Sequence, residues 1–199
     1  GYLTVQGERQ FPIPQWDGAM PRGRRLLVTT EQGLGDILQF VRLLAPLADL
    51  GADVMFECPP RLQPFLARCR GIGTLVDPVN VERAAREADA HIPLMSLPHR
   101  LGLDLGTIPA TVPYLWTDPA LTALWAKRLD RGAALRVGLC WQGSRANTAD
   151  SLRSIAARTL APLGRIPGVR LYSLQVGLGS EQSADIPGLV DFASELDQK

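Results

Sequence analysis

Apolar residues in this chain fall into short continuous runs separated by stretches of helical spacing. The run over residues 24–30, centred on Leu26-Leu27-Val28, predicts a first strand. Its unbroken apolar centre is that of a parallel strand buried on both faces. After the turn Glu31-Gln32-Gly33-Leu34-Gly35-Asp36, the residues Ile37, Phe40, Val41, Leu44, Leu47 and Ala48 recur on one helical face. Pro46 predicts a kink or break within that helix, and Gly51 its stop. Residues 53–57 predict a second strand, 61–69 a short helix and 71–76 a third strand weakened by glycine. A modest helix over 81–88 and a short strand over 90–94 follow, the latter running into a loop at 95–99. Residues 102–119 are punctuated by proline and read as irregular; 120–130 read as a helix with Leu121, Leu124, Trp125 and Leu129 on one face. The pattern then restarts with a strand over 135–141, a polar loop over 142–153, a helix over 155–166 that breaks near Pro162 and Gly164, and a strand over 169–175. Beyond Val176, where Gly, Ser and Asp are frequent, no element is predicted. Residues 1–23 read as an extended lead-in whose Phe11 and Trp16 pack onto the domain.

Strands alternating with helices predict an α/β fold: a Rossmann-like, mainly parallel sheet flanked by helices, with right-handed crossovers. The restart at Leu135 predicts a second, incomplete unit of the same kind, with domains at 1–131 and 132–199. Charge changes the picture little. Twenty-one basic residues balance 20 acidic ones, and a net charge of +1 offers no electrostatic footprint for nucleic acid. Cys58, Cys69 and Cys140 are widely spaced with no CxxC pair, so they read as reduced thiols of a cytoplasmic protein, not as metal ligands. No apolar run reaches the ~18 residues of a membrane span, and no signal peptide is evident. The chain begins at Gly1 instead of Met, and it reads as a segment of something longer.

Candidate chemistry concentrates in two stretches. Gly33 and Gly35 fit the first two glycines of a dinucleotide fingerprint, but the third position is Leu38, and no Gly-Lys-Ser/Thr follows. A dehydrogenase-type or Walker-type site is therefore disfavoured. What remains is a turn whose glycines allow sharp bending and close approach to a ligand, with Asp36 at the mouth of a helix. Asp36 and Gln39 form an Asp-x-x-Gln capping-box pattern, which alone accounts for both residues. Asp36 also faces the carboxyl end of a strand, where open α/β sheets bind ligands, and can serve there as a general base. The second stretch runs from Trp141-Gln142-Gly143-Ser144-Arg145-Ala146-Asn147 to Asp150, Arg153 and Ser154. Arg153 suits a phosphate or carboxylate, or equally a structural ion pair; Ser154 suits the cap of the helix at Ile155. Ser96 can reach the first crevice but lacks the neighbours of a triad. His91 and His99 have no ligand partner at metal spacing and read as structural.

The ordered motifs Glu31 to Asp36 with Gln39-Phe40, Pro93-Leu94-Met95-Ser96-Leu97-Pro98, Pro113-Tyr114-Leu115, Gly138 to Gly143, Arg153-Ser154-Ile155 and Ser173-Leu174-Gln175 resemble one family. It is the glycosyltransferase-like domain that follows tetratricopeptide repeats in bacterial proteins, similar to the heptosyltransferases. The resemblance implies a two-Rossmann GT-B fold, with 1–131 on the acceptor side and 132–199 beginning the donor side. It implies Asp36 as general base in an inverting transfer from a nucleotide-sugar to a hydroxyl of a sugar, lipid-linked or protein acceptor. Substrate contacts are expected at Gly33, Leu34, Gly35, Gln39 and Ser96, and at Trp141, Gly143, Arg153 and Ser154. No metal and no cofactor are implied, since basic side chains and helix N-termini can hold the diphosphate. The resemblance also implies tetratricopeptide repeats in the parent chain. Because the family continues past the Ser-Leu-Gln strand, most of the donor pocket is expected outside these 199 residues, leaving the fragment inactive alone. The alternative is a binding or scaffold module that keeps the fold without the reaction.

Overall fold

The computed structural model describes residues 9–31, 33–129, 132, 135–143 and 150–196. They fall into two compact units, divided in sequence between Thr122 and Ala123.

The first unit is built on β1 (Arg25–Thr29). It continues through α1 (Leu34–Phe40), α2 (Leu44–Asp49), β2 (Asp53–Glu57), α3 (Gln63–Leu66), β3 (Thr74–Val76), α4 (Val81–Glu87), β4 (Ala90–Pro93) and α5 (Leu97–Arg100). The strands form a parallel sheet in the order β3-β2-β1-β4, with Leu26 level with Val54 on one side and with Ala90 on the other. β1 is thus central, and Leu26, Leu27 and Val28 are all fully buried. Its alternate residues serve two cores. Leu26 and Val28 join Val54, Phe56, Ile37, Leu44 and Leu47 on one face, while Leu27 joins Met55, Val81 and Ala85 on the other. This is the doubly covered parallel sheet predicted from the apolar run.

The lead-in is an extended segment that bridges β4 at Gln15 and His91. Trp16 is buried and its indole N–H donates to the Ala19 carbonyl at 2.9 Å, while Phe11 lies against the His91 ring at 4.9 Å. Both aromatic residues therefore pack as predicted.

Three expectations of local structure need correction. The long first helix breaks at Val41–Leu43, which is a 3-10 turn, one turn before Pro46. A proline ring crowds the carbonyl four residues back, here Arg42, so the ladder tightens there. Residues 95–99 are not a loop: Leu94–Ser96 is a 3-10 turn that passes directly into α5. The third strand is confined to Thr74–Val76, because Gly71 takes a φ of +94° and lies against the Leu44 backbone, where a side chain has no room.

The second unit takes in most of α6 (Pro119–Arg128), then β5 (Leu135–Leu139), β6 (Val169–Ser173), β7 (Val190–Asp191) and α7 (Ala193–Leu196). β5, β6 and β7 pair in parallel in that order. Leu139, Trp141, Ala157, Leu171 and Ile186 form its core. The helix predicted over 155–166 is a 3-10 helix, Ala157–Arg165, with Pro162 inside it. β7 and α7 lie where no element was predicted. Phe192 draws them in, stacking on Tyr172 at 5.7 Å and meeting Trp125 edge-on at 5.2 Å. Arg128 lies 5.0 Å over the Trp125 ring and pairs with Glu195. Of the expected apolar face over 120–130, Leu121 and Leu124 are at least half exposed, while Leu129 is half-buried.

Candidate active site

The order β3-β2-β1-β4 reverses direction between β1 and β4, so the crevice outside their carboxyl ends is the topological switch point of the first unit. Two segments border it: Thr30 to Asp36 after β1, and Leu94–Ser96 after β4. Gly33, Leu34, Gly35, Asp36 and Ser96 all belong to them, so the fold brings these predicted residues to one edge. Gln32 lies outside the described residues.

Asp36 is the third residue of α1, whose N-cap is Gly33. Its carboxylate Oδ2 accepts the Gly33 N–H at 3.2 Å, and its own N–H donates to the Gly33 carbonyl at 3.0 Å. The capping interaction is therefore real but shifted by three residues: Asp36 closes back on Gly33, and Gln39 takes no part. The helix starts earlier because Gly33 has the extended backbone of an N-cap, with φ −68° and ψ 167°.

The glycines serve a different purpose from the sharp turn expected of them. Neither Gly33 nor Gly35 has a positive φ. A Cβ at Gly35 would meet nothing within 4 Å, and one at Gly33 only the Asp36 carboxylate at 3.6 Å. Backbone geometry and protein packing both tolerate a side chain there. The open space over these two residues, beside a half-buried carboxylate, is room for an external group.

Gln39, Phe40 and Leu43 continue the stripe of Asp36 along the helix, three, four and seven residues on. They line a cavity of about 140 Å³ closed opposite by Pro98, Leu103 and Ile108. Arg42 connects it to a larger groove of about 360 Å³ beside α2, where Trp116 is half exposed. The Arg42 guanidinium lies 4.2 Å over the Tyr114 ring and donates to its hydroxyl at 2.7 Å.

Behind the edge lies an ionic anchor that the sequence pattern did not single out. Glu57, at the end of β2, is buried. It accepts both Arg9 guanidinium nitrogens, at 2.8 and 2.5 Å, and the Thr30 N–H at 2.8 Å. Arg9 also donates to the Thr30 carbonyl at 2.9 Å. Its hydrogen bond to Glu57 raises the Arg9 pKa against the opposing effect of burial. Glu31 is half-buried, and its Oε2 accepts the Met95 N–H at 3.2 Å. Burial pushes the Glu31 pKa up; Met95 and Arg9 oppose that rise and Glu57 adds to it.

In the second unit, Gly143, Arg153 and Ser154 converge on Asp150, while Trp141 stands apart from that contact. Asp150 is buried, receiving Arg153 Nε at 3.2 Å and the Ser154 hydroxyl at 3.0 Å. Ser154 accepts the Gly143 N–H at 3.1 Å and so ties the two ends of the loop. It does not cap a helix, because the 3-10 helix begins after Ala156 with no side-chain cap. Arg153 thus has the structural pair weighed for it, with its side chain still half exposed. Trp141 is buried and donates its indole N–H to the Gly179 carbonyl at 3.0 Å. Residues 144–149, from Ser144 to Thr148 and Ala149, lie outside the described residues.

The unforeseen centre of this unit is Gln175. It is buried, and its Oε1 accepts the backbone N–H groups of Trp141 and Gln142 at 3.1 and 3.0 Å. Its amide donates to the carbonyls of Gln142 at 3.1 Å and Leu178 at 2.7 Å. An amide after an apolar strand was the available signal. Among the described residues, no group of three His, Cys, Asp or Glu side chains is placed to hold a metal ion.

No family model matches the chain. It is 29% identical, over 191 aligned residues, to Protein FlbA of Caulobacter vibrioides; the match covers 88% of this chain and 32% of that protein. The chain therefore spans about a third of the length of this curated relative. Its fold is similar to the crystal structure of the glycosyl transferase family 9 protein from Veillonella parvula. There the TM-score is 0.60 at 12% identity, over 88% of this chain and 70% of that one. The fold is thus a parallel α/β architecture similar to that of this family 9 glycosyl transferase. No helix among the described residues is long and apolar enough to cross a membrane.

Proposed function

We propose that the protein to which this chain belongs is an inverting glycosyltransferase, in which Asp36 takes the proton of an acceptor hydroxyl. The observation that carries this reading is the open space over Gly33 and Gly35 beside the Asp36 carboxylate, at the switch point of a fold similar to a family 9 glycosyl transferase. In the reaction, the acceptor O–H proton passes to Asp36 as the oxygen bonds to the anomeric carbon. The bond from that carbon to the diphosphate oxygen breaks, and the nucleoside diphosphate leaves with the electron pair. On this reading residues 1–131 serve the acceptor, and the cavity along Gln39, Phe40 and Leu43 receives the part of it next to the reacting hydroxyl. Residues 132–199 begin the donor side, where Arg153 offers its exposed guanidinium nitrogens to the diphosphate.

The test is Asp36→Asn in the full-length protein. Asparagine keeps an oxygen for the Gly33 N–H, so the fold is expected to persist. Turnover of a nucleotide-sugar is expected to fall by roughly 10²–10⁴-fold, the usual contribution of a general base. Undiminished turnover would remove Asp36 from this role.

A second reading, a binding module without transfer, is favoured by the structural use of both key charges. Asp36 caps Gly33, and Arg153 pairs with Asp150. It predicts saturable binding of a saccharide or nucleotide with no turnover in the full-length protein.

A further inference from the structure

One side chain crosses the switch point. Glu31 leaves the carboxyl end of β1 and its Oε2 accepts the N–H of Met95, 64 residues later in the chain, at 3.2 Å. Beyond the β1–β4 ladder, no other hydrogen bond among the described residues joins 30–36 to 94–96. We propose that Glu31 is a positioning residue of this site: it latches the turn bearing Asp36 to the 3-10 turn bearing Ser96, and its protonation loosens the latch. The inference rests on the proposed reading of this edge as the acceptor crevice.

The groups around Glu31 define how the latch responds to pH. From the lead-in, Arg9 favours the charged form of Glu31; from β2, Glu57 opposes it. The turn after β4 contributes the Met95 N–H and no charge. Glu57 is itself held by Arg9 and by the Thr30 N–H, the residue directly before Glu31, so the anchor and the latch share one stretch of backbone. A hydrogen bond to an ionised carboxylate is about twice as strong as one to a neutral acceptor. Half-burial makes the ionised form harder to keep, and it places the switch above the ordinary carboxylate range. Asp36, five residues on, lies in the first turn of α1, which this stretch leads into. When the latch loosens, the orientation of Asp36 relative to Ser96 is no longer held from this side.

The experiment is an amide-resolved NMR pH titration of the chain, which needs no substrate. The Met95 amide proton is expected to move through one midpoint above about 4.3, the unperturbed glutamate value. The Gly35 and Ser96 amides follow the same midpoint. In Glu31→Gln, which keeps a neutral acceptor for Met95, all three titrations flatten; in Asp36→Asn they persist. A Met95 titration that survives in Glu31→Gln, Gly35 and Ser96 amides that ignore the Met95 midpoint, or a Gly35 titration lost in Asp36→Asn would each overturn the proposal. In the full-length protein, Glu31→Gln should also move the acid limb of the kcat/KM profile to lower pH. The Asp36→Asn turnover decides the proposed function separately, so the two readings can fail independently.

Discussion

Glu31 shows how one carboxylate in a partly buried site links proton binding to stability. Its raised pKa means that the folded state prefers the neutral acid more than the unfolded chain does. The stabilisation this gives is complete below the unfolded value of about 4.3 and is lost as pH rises through the higher folded one. Glutamine stays neutral throughout. Glu31→Gln is therefore expected to melt above the wild-type protein at pH 7, with the two melting temperatures converging near pH 4, as calorimetry at both pH values would show. A lower melting temperature at pH 7 would mean that the Met95 hydrogen bond and attraction to Arg9 together outweigh burial. Gln175 is the converse case. It is a neutral polar group that is fully buried yet meets donors and acceptors on both ends of its amide, so it stabilises the loop after β5 without titrating.

At the scale of elements, two glycines with similar sequence surroundings play opposite parts. Gly35 lies within α1 with open space around it. Gly35→Ala is expected to stabilise the first unit by roughly 0.5–1 kcal/mol through reduced backbone entropy, while lowering turnover if a ligand approaches there. A Cβ at Gly143 would run into the Asp150 carboxylate and come within 2.6 Å of Arg153 Nη2. Gly143→Ala must therefore displace the Asp150–Arg153 pair packed against it, and is expected to cost about 1–3 kcal/mol. Chemical denaturation followed by tryptophan fluorescence measures both changes. Nothing in the linear pattern separates these glycines, since both follow an apolar strand. The same limit applies to helix type: periodicity finds the apolar faces of residues 34–49 and 157–165, but not the proline-induced change to 3-10 geometry.

Across the whole molecule, the three thiols report where the two units are closed. Cys58 and Cys69 are buried in the first unit, and burial pushes the Cys58 pKa up to about 11. Cys140 is exposed at the end of β5 in the second unit. Since the thiolate is the reactive form, native protein at neutral pH is expected to take up one equivalent of iodoacetamide, at Cys140. Cys58 and Cys69 should follow only on unfolding, as peptide mass spectrometry would reveal. Rapid alkylation of Cys58 in native protein would contradict the closed core around β2.

By itself, the sequence determined the parallel α/β fold. An unbroken Leu26-Leu27-Val28 run needs cover on both faces of its strand, and such cover in a parallel sheet comes from helices. It also determined that Gly33 to Asp36 and Ser96 lie at one edge, because each follows a strand at its carboxyl end. Tertiary structure alone decided which groups meet there. Glu31 finds Met95 and Arg9 finds Glu57 because β4 and β2 flank β1, an ordering that no local pattern encodes. It decided, too, that β7 pairs at all. A two-residue strand has too little periodicity to read, and its place depends on Phe192 stacking on Tyr172 and meeting Trp125 edge-on. Local sequence sets the propensity of each segment, but partners distant in the chain are chosen by the sheet that brings them together.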